Sequence, residues 1–368
     1  MNAPAANKGT VLKPFTIGSR FSSRASFDTG TKTLSTTGPT NTGPQQVPAV
    51  GFLAGLLLRI TATATGGTPA LTADAPFNLI ELINFRNSKG DNLITPIKGY
   101  QLYLINKYGG QNIFGNGPTG DPKVGAGYTA SGANVDFYLW LPLSIDVSQA
   151  LGVVPATASN NNYQVEITLA ATSTVWSGGV TGGTATVQAS AYYFDIPNDP
   201  NYQSTPLGLP TASIWNVETP PLTAGEKTIQ SFNTGNIIRN HILVVRTAAG
   251  ARSDADWPTL TTLVLDNVDR LRLPKRDWEY LMARWYGLTN ATKDAALGLD
   301  NGDFVLPYNA LAGGSAGDPS NTRDQLLQTQ STTLLQFRGQ SFGGTAATLE
   351  ILTQSVATTD LNALYSKE

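Results

Sequence analysis

Ala73-Asp74-Ala75-Pro76 returns later in the chain as Ala255-Asp256-Trp257-Pro258. Outward from this tetrapeptide, Pro96, Tyr100, Tyr108 and Gly109 return as Pro274, Trp278, Tyr286 and Gly287. The tetrapeptides stand 182 residues apart and the four later pairs 178 apart. Unlike signals repeated once, in one order, over half the chain indicate two copies of one unit. The length of 368 residues agrees, since it is more than a single core usually serves.

Each copy reads as a series of strands. Lys32-Thr33-Leu34-Ser35 opens the first, and Lys227-Thr228-Ile229-Gln230 is its expected counterpart. A long apolar strand ending at Arg59-Ile60-Thr61 matches one ending at Val245-Arg246-Thr247, and Phe77 to Phe85 matches Leu260 to Val268. The turn cluster Asn87-Ser88-Lys89-Gly90-Asp91 has a shorter equivalent at Asp266-Asn267-Val268-Asp269, which accounts for the change in spacing. Further on, Asp136 to Pro142 is echoed by Asp303 to Pro307, and Ala185 to Ala189 by Ala347 to Ile351. Tyr163 to Leu169 alternates strictly, with one face for a core and one for water, and its counterpart is Thr333 to Arg338.

Between the early and late strands each copy carries a helix signal. Thr95-Pro96 reads as a cap followed by proline at the first helical position. Ile97, Tyr100, Leu104 and Tyr108 then share one helical face, and Gly109-Gly110 ends the helix through positive φ. In the second copy Pro274 opens the helix, Trp278, Leu281, Met282 and Trp285 form its stripe, and Gly287 ends it. Aromatic stripes at this spacing are core, so Tyr100, Leu104, Tyr108, Trp278, Met282 and Trp285 are the expected helix core. Each helix should lie across the side or end of its unit. Six strands are visible per half, and short additional ones would bring each to eight, the jelly-roll number. The helices are too few to connect a parallel α/β sheet. The expected fold class is therefore all-β: two tandem eight-stranded jelly rolls, each with a helix after its early strands. The expected boundaries are an arm at 1–29, units at 30–197 and 211–368, and a proline-rich linker at 198–210.

Composition narrows function mainly by exclusion. Charged residues make up only 14% of the chain, against about 25% in an ordinary soluble domain, which suits faces that meet other copies. With no Cys, disulfides, zinc–thiolate sites and thiol nucleophiles are excluded. The one His, His241, lies in a strand-like run and reads as a packed or rim-exposed side chain, not a catalytic one. Gly313-Gly314-Ser315-Ala316-Gly317 fits G-x-S-x-G, but the only His precedes the serine instead of following it. Ser253-Asp254-Ala255-Asp256 and Asp300-Asn301-Gly302-Asp303 lack the spacing of a calcium loop and read as turns. Glu81 and Glu166 are the strand carboxylates that a glycosidase pair would need. No Gly-Lys dipeptide exists for a phosphate loop. Met1 to Phe15 lacks the apolar core of a secretory signal, and Arg59 stops the run from Val50 to Leu58 well short of the roughly 20 residues a spanning helix needs. Lys8, Lys13, Arg20 and Arg24 all precede the first acid, Asp28. They place four positive charges on an arm ahead of a body that carries −6, within a formal net charge of −2. Such an arm can meet an anionic surface or remain solvated, and is too sparse for strong nucleic-acid binding.

The duplication, together with Ala73 to Ile80, Arg86 to Asp91 and Pro96 to Tyr103, resembles the double jelly-roll major capsid proteins of tailless, membrane-containing icosahedral bacteriophages, the tectivirus-like group. The resemblance covers roughly residues 30–365. It implies a virion shell protein made in the host cytoplasm, without a catalytic site or cofactor. It also implies homotrimers in which six upright barrels approximate a hexagon and tile the shell. The implied partners are neighbouring trimers, penton and other minor capsid proteins and the internal viral membrane, with no sequence-specific nucleic acid. The arm with Lys8, Lys13, Arg20 and Arg24 would face inward, towards the membrane or a neighbouring trimer. The Gly/Asn-rich stretches 109–134, 153–162 and 288–325 would form outer towers. Two other readings stay open on the residues alone: a carbohydrate- or receptor-binding double β-domain of spike or lectin type, and a jelly-roll hydrolase using Glu81 or Glu166.

Overall fold

A computed structural model describes residues 12–87, 90, 92–109, 132–145, 147, 150–156, 163–206, 213–286, 301–311 and 326–356. The first unit runs α1 (Phe15–Gly18), β1 (Phe21–Asp28), β2 (Lys32–Leu34), β3 (Thr40–Val47), β4 (Gly51–Thr65), β5 (Ala70–Leu71), β6 (Ile80–Arg86), β7 (Asn92–Ile97), α2 (Gly99–Tyr108), β8 (Asn134–Pro142), β9 (Val154–Ala156), β10 (Tyr163–Leu169), α3 (Thr172–Val175), β11 (Trp176–Ser177) and β12 (Gly182–Phe194). The second runs β13 (Ser213–Glu218), β14 (Gly225–Ser231), β15 (Ile237–Thr247), β16 (Leu260–Leu265), β17 (Val268–Pro274), α4 (Lys275–Tyr286), β18 (Asp303–Pro307), α5 (Tyr308–Leu311), β19 (Leu327–Gln328), β20 (Leu335–Phe342) and β21 (Ala346–Val356).

The sheets of the first unit are ordered β1-β12-β4-β8 and β3-β10-β6-β7; those of the second are β13-β21-β15-β18 and β14-β20-β16-β17. β2 extends the line of β1 along the same edge of β12. Counting β1 and β2 as one strand and setting aside the short β5, β9, β11 and β19, each unit has eight main strands. Both follow one scheme: 1-8-3-6 in one sheet and 2-7-4-5 in the other. Each unit is thus a jelly roll, and the duplication read from the sequence is a duplication of topology.

All these pairings are antiparallel, so connections alternate between two ends of a barrel. Connections 1–2, 3–4, 5–6 and 7–8 share one end: Thr72 N donates to Val175 O, and Thr172 N to Ser35 O. Connections 2–3, 4–5 and 6–7 share the other with both ends of the unit: Tyr193 Oη donates to Pro48 O. Of the stretches expected to form towers, 109–134 joins strands 5 and 6 and 153–162 lies between strands 6 and 7, so the described residues that flank them lie at opposite ends of the barrel. The stretch 288–325 likewise spans β18 and serves both ends. Most of these three stretches lies outside the described residues.

Several local expectations change. The counterpart of Lys32 to Leu34 is β13, not Lys227 to Gln230. The latter lies in β14 and pairs with the seventh strand, β20, whereas β2 pairs with the eighth, β12. The body begins well before Thr29: β1 pairs with β12 from Phe21↔Phe194 to Asp28↔Gln188, and Phe15 is buried against Phe52 and Phe194. Linker residue Tyr202 bridges Lys13, and Lys13 Nζ lies 5.3 Å from the centre of its ring, so much of the expected arm and linker clasp each other. Residues 207–212 lie outside the described residues.

Thr95 and Pro96 belong to β7, and Pro274 ends β17. Both strands are sheet edges, where a residue without an N–H is tolerated. Helix α2 is capped at Lys98, whose N–H donates to Gln101 Oε1 at 2.9 Å. Gly99 follows because a Cβ there would collide with the carbonyl oxygen of Phe77. Gly109 ends α2 with φ −80, not positive φ. A Cβ there would collide with the carbonyl oxygen of Ile105 and crowd the Trp215 ring of the second unit. Gly110 and Gly287 lie outside the described residues.

Candidate functional site

The alternation read in Tyr163–Leu169 buries every second side chain, as expected of a sheet with one wet face. β15 behaves differently, since Ile237 to Val245 are all buried. Leu243 and Val245 fill the second barrel, whereas Ile242 and Val244 join the core of the first, with Val305 and Leu352 from neighbouring strands. The outer face of the second barrel's sheet is thus a core surface. What covers it is α2, all ten residues of which are buried. Four fully buried aliphatic side chains contribute on the order of 6–12 kcal/mol together, far more than a surface ion pair at about 0–1 kcal/mol. The seam between the barrels is therefore a permanent core.

Polar groups set its register. Asp74 accepts from Arg252 Nε at 2.8 Å and pairs with Arg246 Nη1 at 2.9 Å, while Arg246 Nε reaches Glu350 at 2.9 Å. The Arg252 and Arg246 guanidinium groups lie 4.7 and 5.2 Å from the centre of the Tyr100 ring. Tyr100 Oη donates to Asp303 Oδ1 at 3.3 Å, and Gln101 Nε2 to Glu350 Oε1. Burial opposes the charge on Arg246, but Asp74 and Glu350 outweigh it and hold the guanidinium more firmly protonated than usual. Burial, with Asp303 beside it, pushes the Tyr100 hydroxyl well above its ordinary range. An open cleft of about 800 Å³ lies at this end of the seam, walled by Asp74, Glu81, Lys98, Arg246 and Glu350 among others.

Both barrels stand the same way up. Asp74 and Arg252 each lie in the 3–4 connection of their barrel. Towards the opposite end, Arg239 near the start of β15 donates to Ile145 O just after β8, at 3.2 Å.

Of the helix positions picked from sequence, Tyr100, Leu104, Tyr108, Trp278 and Met282 are buried, and Trp285 is half-buried against the first core. Tyr108 meets Tyr286 edge-on across the seam at 5.0 Å. In the expected arm, Lys8 lies outside the described residues, and Lys13, Arg20 and Arg24 are exposed at the end that carries connections 2–3, 4–5 and 6–7. Ile17, Phe21 and Ile196 are exposed at that end too. Among the described residues no helix is long and apolar enough to cross a membrane.

Candidate chemical groups lie apart. His241 is fully buried, its Nδ1 2.7 Å from Tyr308 Oη, and burial pushes its pKa down to about 3. Glu166 accepts from Asn41 at 2.6 Å, lies 3.5 Å from Arg86 and pairs in register with Asn84, not with Glu81. The 313–317 segment and Asp300 lie outside the described residues. Asp256, the repeat counterpart of Asp74, caps its own barrel: its carboxylate accepts from the Thr345 N–H and hydroxyl, and its backbone N–H donates to Ser253 Oγ. Among the described residues no three His, Cys, Asp or Glu side chains converge as a metal site would require. Sequence reasoning singled out Asp74 as part of the repeat but not as an ion-pair hub, and it passed over Arg246, Arg252, Gln101 and Glu350. The only trace of their role is that charge interrupts otherwise apolar strand ends.

Among solved structures, the atomic structure of Sulfolobus Turreted Icosahedral Virus matches at TM-score 0.63 and 15% identity, covering 95% of this chain and 94% of that chain. The chain has the double jelly-roll fold. The PBCV-1 virus capsid matches this double jelly roll at TM-score 0.61 and 11% identity, over 92% and 94% of the two chains. The Faustovirus major capsid protein matches at 0.54 and 8%, over 97% and 92%. No family model matches the sequence, and no curated protein does.

Proposed function

We propose that this chain is a major capsid protein. It forms homotrimers that present six barrels as an approximate hexagon and tile an icosahedral shell around an internal membrane, as in the tectivirus-like bacteriophages. One observation carries the reading: the same eight-stranded barrel occurs twice, the same way up, locked side by side through α2. Two similar barrels per chain let a threefold assembly fill six similar positions, which closed symmetric packing requires. The double jelly-roll likeness to viral capsid structures, over at least 92% of this chain and of each of those chains, supports it.

The role is structural rather than enzymatic, in keeping with a sealed His241 and a Glu166 held in a surface pair. The end that carries the chain's N-terminal residues faces the shell interior. Lys13, Arg20, Arg24, Ile17 and Phe21 give it the mixed basic and apolar character that suits lipid headgroups. Neighbouring trimers, a penton protein and other minor capsid proteins are the partners, and the protein acts in the virion after synthesis in the host cytoplasm. Native mass spectrometry with negative-stain imaging of the purified protein tests this. A trimeric mass and hexagon-like outlines are expected; a chain that stays monomeric at every concentration contradicts it.

A further inference from the structure

We infer that the outer face of the first barrel's β1-β12-β4-β8 sheet receives α4 of a second copy, head to tail. The inference rests on the trimer reading above and names the surfaces that would make it.

The seam inside the chain is the template. In the second barrel Asp303, Val244 and Glu350 stand side by side on neighbouring strands, and α2 covers them through Tyr100 and Gln101. The same three strand positions in the first barrel are Asp136, Thr61 and Thr186, which also stand side by side. Among the described residues nothing seals that face. Arg59, Thr63 and Thr184 are exposed, and a shallow groove of about 260 Å³ runs past Thr61, Asp136 and Thr186.

The other half is met on one side only, where Met282, Tyr286 and Trp285 of α4 pack into the first core of the same chain. α4 is the repeat counterpart of α2, yet only Trp278, Met282 and Tyr286 are buried. Arg276, Glu279 and Tyr280 form an exposed stripe on the opposite side. Tyr280 is 66% exposed, while Leu102 at the equivalent position of α2 is 0% exposed. The chain therefore carries one completed seam and the two separated halves of another. Those halves lie on different surfaces, so the contact is heterologous and closes a ring when the rotation permits.

Charge agrees. On the receiving face Arg59 and Asp136 form an exposed pair at 2.8 Å, and Arg276 and Glu279 on α4 offer one charge of each sign to it. The new contact is not a side-chain copy of the old one, because Trp278, at the position of Tyr100, is turned into its own barrel. The receiving face is also more polar than the sealed one, as suits association between chains that fold separately.

The absence of Cys makes cysteine linking a clean test. Chains carrying Tyr280→Cys and Thr184→Cys are co-expressed and treated with a short bifunctional maleimide. Interchain links are expected in the mixture and not in either variant alone, because a head-to-tail contact never brings a residue to its own copy. In parallel, Arg59→Glu should raise the concentration at which the assembly dissociates by about tenfold or more, and adding Glu279→Arg should restore it. All substituted positions are exposed, and melting curves matching the parent confirm folding. Assembly that persists in Arg59→Glu, with no link in the mixture, overturns this assignment and leaves the trimer standing. A parent chain that never associates overturns both.

Discussion

Arg252 of the second barrel donates from Nε to Asp74 Oδ1 of the first at 2.8 Å, and each residue belongs to the 3–4 connection of its own barrel. The contact fixes the barrels' relative height, since sliding one past the other would break it together with the Arg246–Asp74 pair. Asp74→Asn should therefore leave two largely buried guanidinium groups short of charge. Removing one partner of a buried pair costs about 3–5 kcal/mol. With the Asp74 side chain 20% exposed, the lower end of that range is expected. Chemical denaturation of the parent and the variant measures it.

Val244→Asp and Thr61→Asp form a matched pair, because the two residues hold the same position in the two sheets. At Val244 the new carboxylate would be sealed by α2 and flanked in register by Asp303 and Glu350. A loss on the order of 4 kcal/mol or outright failure to fold is expected. At Thr61, half-exposed on the uncovered face, the same change should alter stability by only about 0.5 kcal/mol. Thermal melts of the two variants compare the sealed face with the open one directly.

The basic end predicts a lipid response. Vesicles containing phosphatidylserine should carry the protein in a flotation assay, and neutral vesicles should carry much less. Arg20→Ala with Arg24→Ala should weaken binding by about 2 kcal/mol, since each basic residue near such a surface is worth about 1 kcal/mol. Raising the salt should act in the same direction. Equal flotation on both vesicle types would remove the membrane from the proposed partners.

Strands whose two faces meet different media were legible in the sequence. Tyr163 to Leu169 alternates because one side is core and the other water, whereas its place as seventh strand comes from its pairing with the second and fourth strands. β1 was not legible, because it caps a sheet edge and its side chains are mostly exposed, which leaves no period to read. Thr95-Pro96 imitated a helix start because an edge strand and a first helical turn accept proline for the same reason, a missing N–H that nothing requires. Ile237 to Val245 was legible as a strand, but neither its continuous burial nor that one face belongs to its neighbour's core could be read, because Arg239, Asn240 and His241 interrupt the apolar run. Likewise Asp74 and Arg252 carry no local sign of facing each other, since their meeting depends on the relative height of two barrels.

His241 supplies a pH dependence whose sign follows from burial alone. The ring is sealed between Tyr308 and Phe337, and its pKa falls from the ordinary 6.5 to about 3. The folded state therefore holds the ring neutral through mild acid, while the unfolded chain takes up a proton below about 6.5. Stability from this group is fully present above pH 6.5 and is lost as pH falls towards about 3. At 1.36 kcal/mol per pH unit, moving from neutral pH to pH 5 should cost about 2 kcal/mol. As the only His in the chain, it can be isolated by one substitution. His241→Gln should lower stability at pH 7.5, by disturbing the Tyr308 contact, yet flatten the slope between pH 6.5 and pH 5. Urea midpoints of both proteins across that window decide it, and parallel slopes would show that the acid sensitivity arises elsewhere.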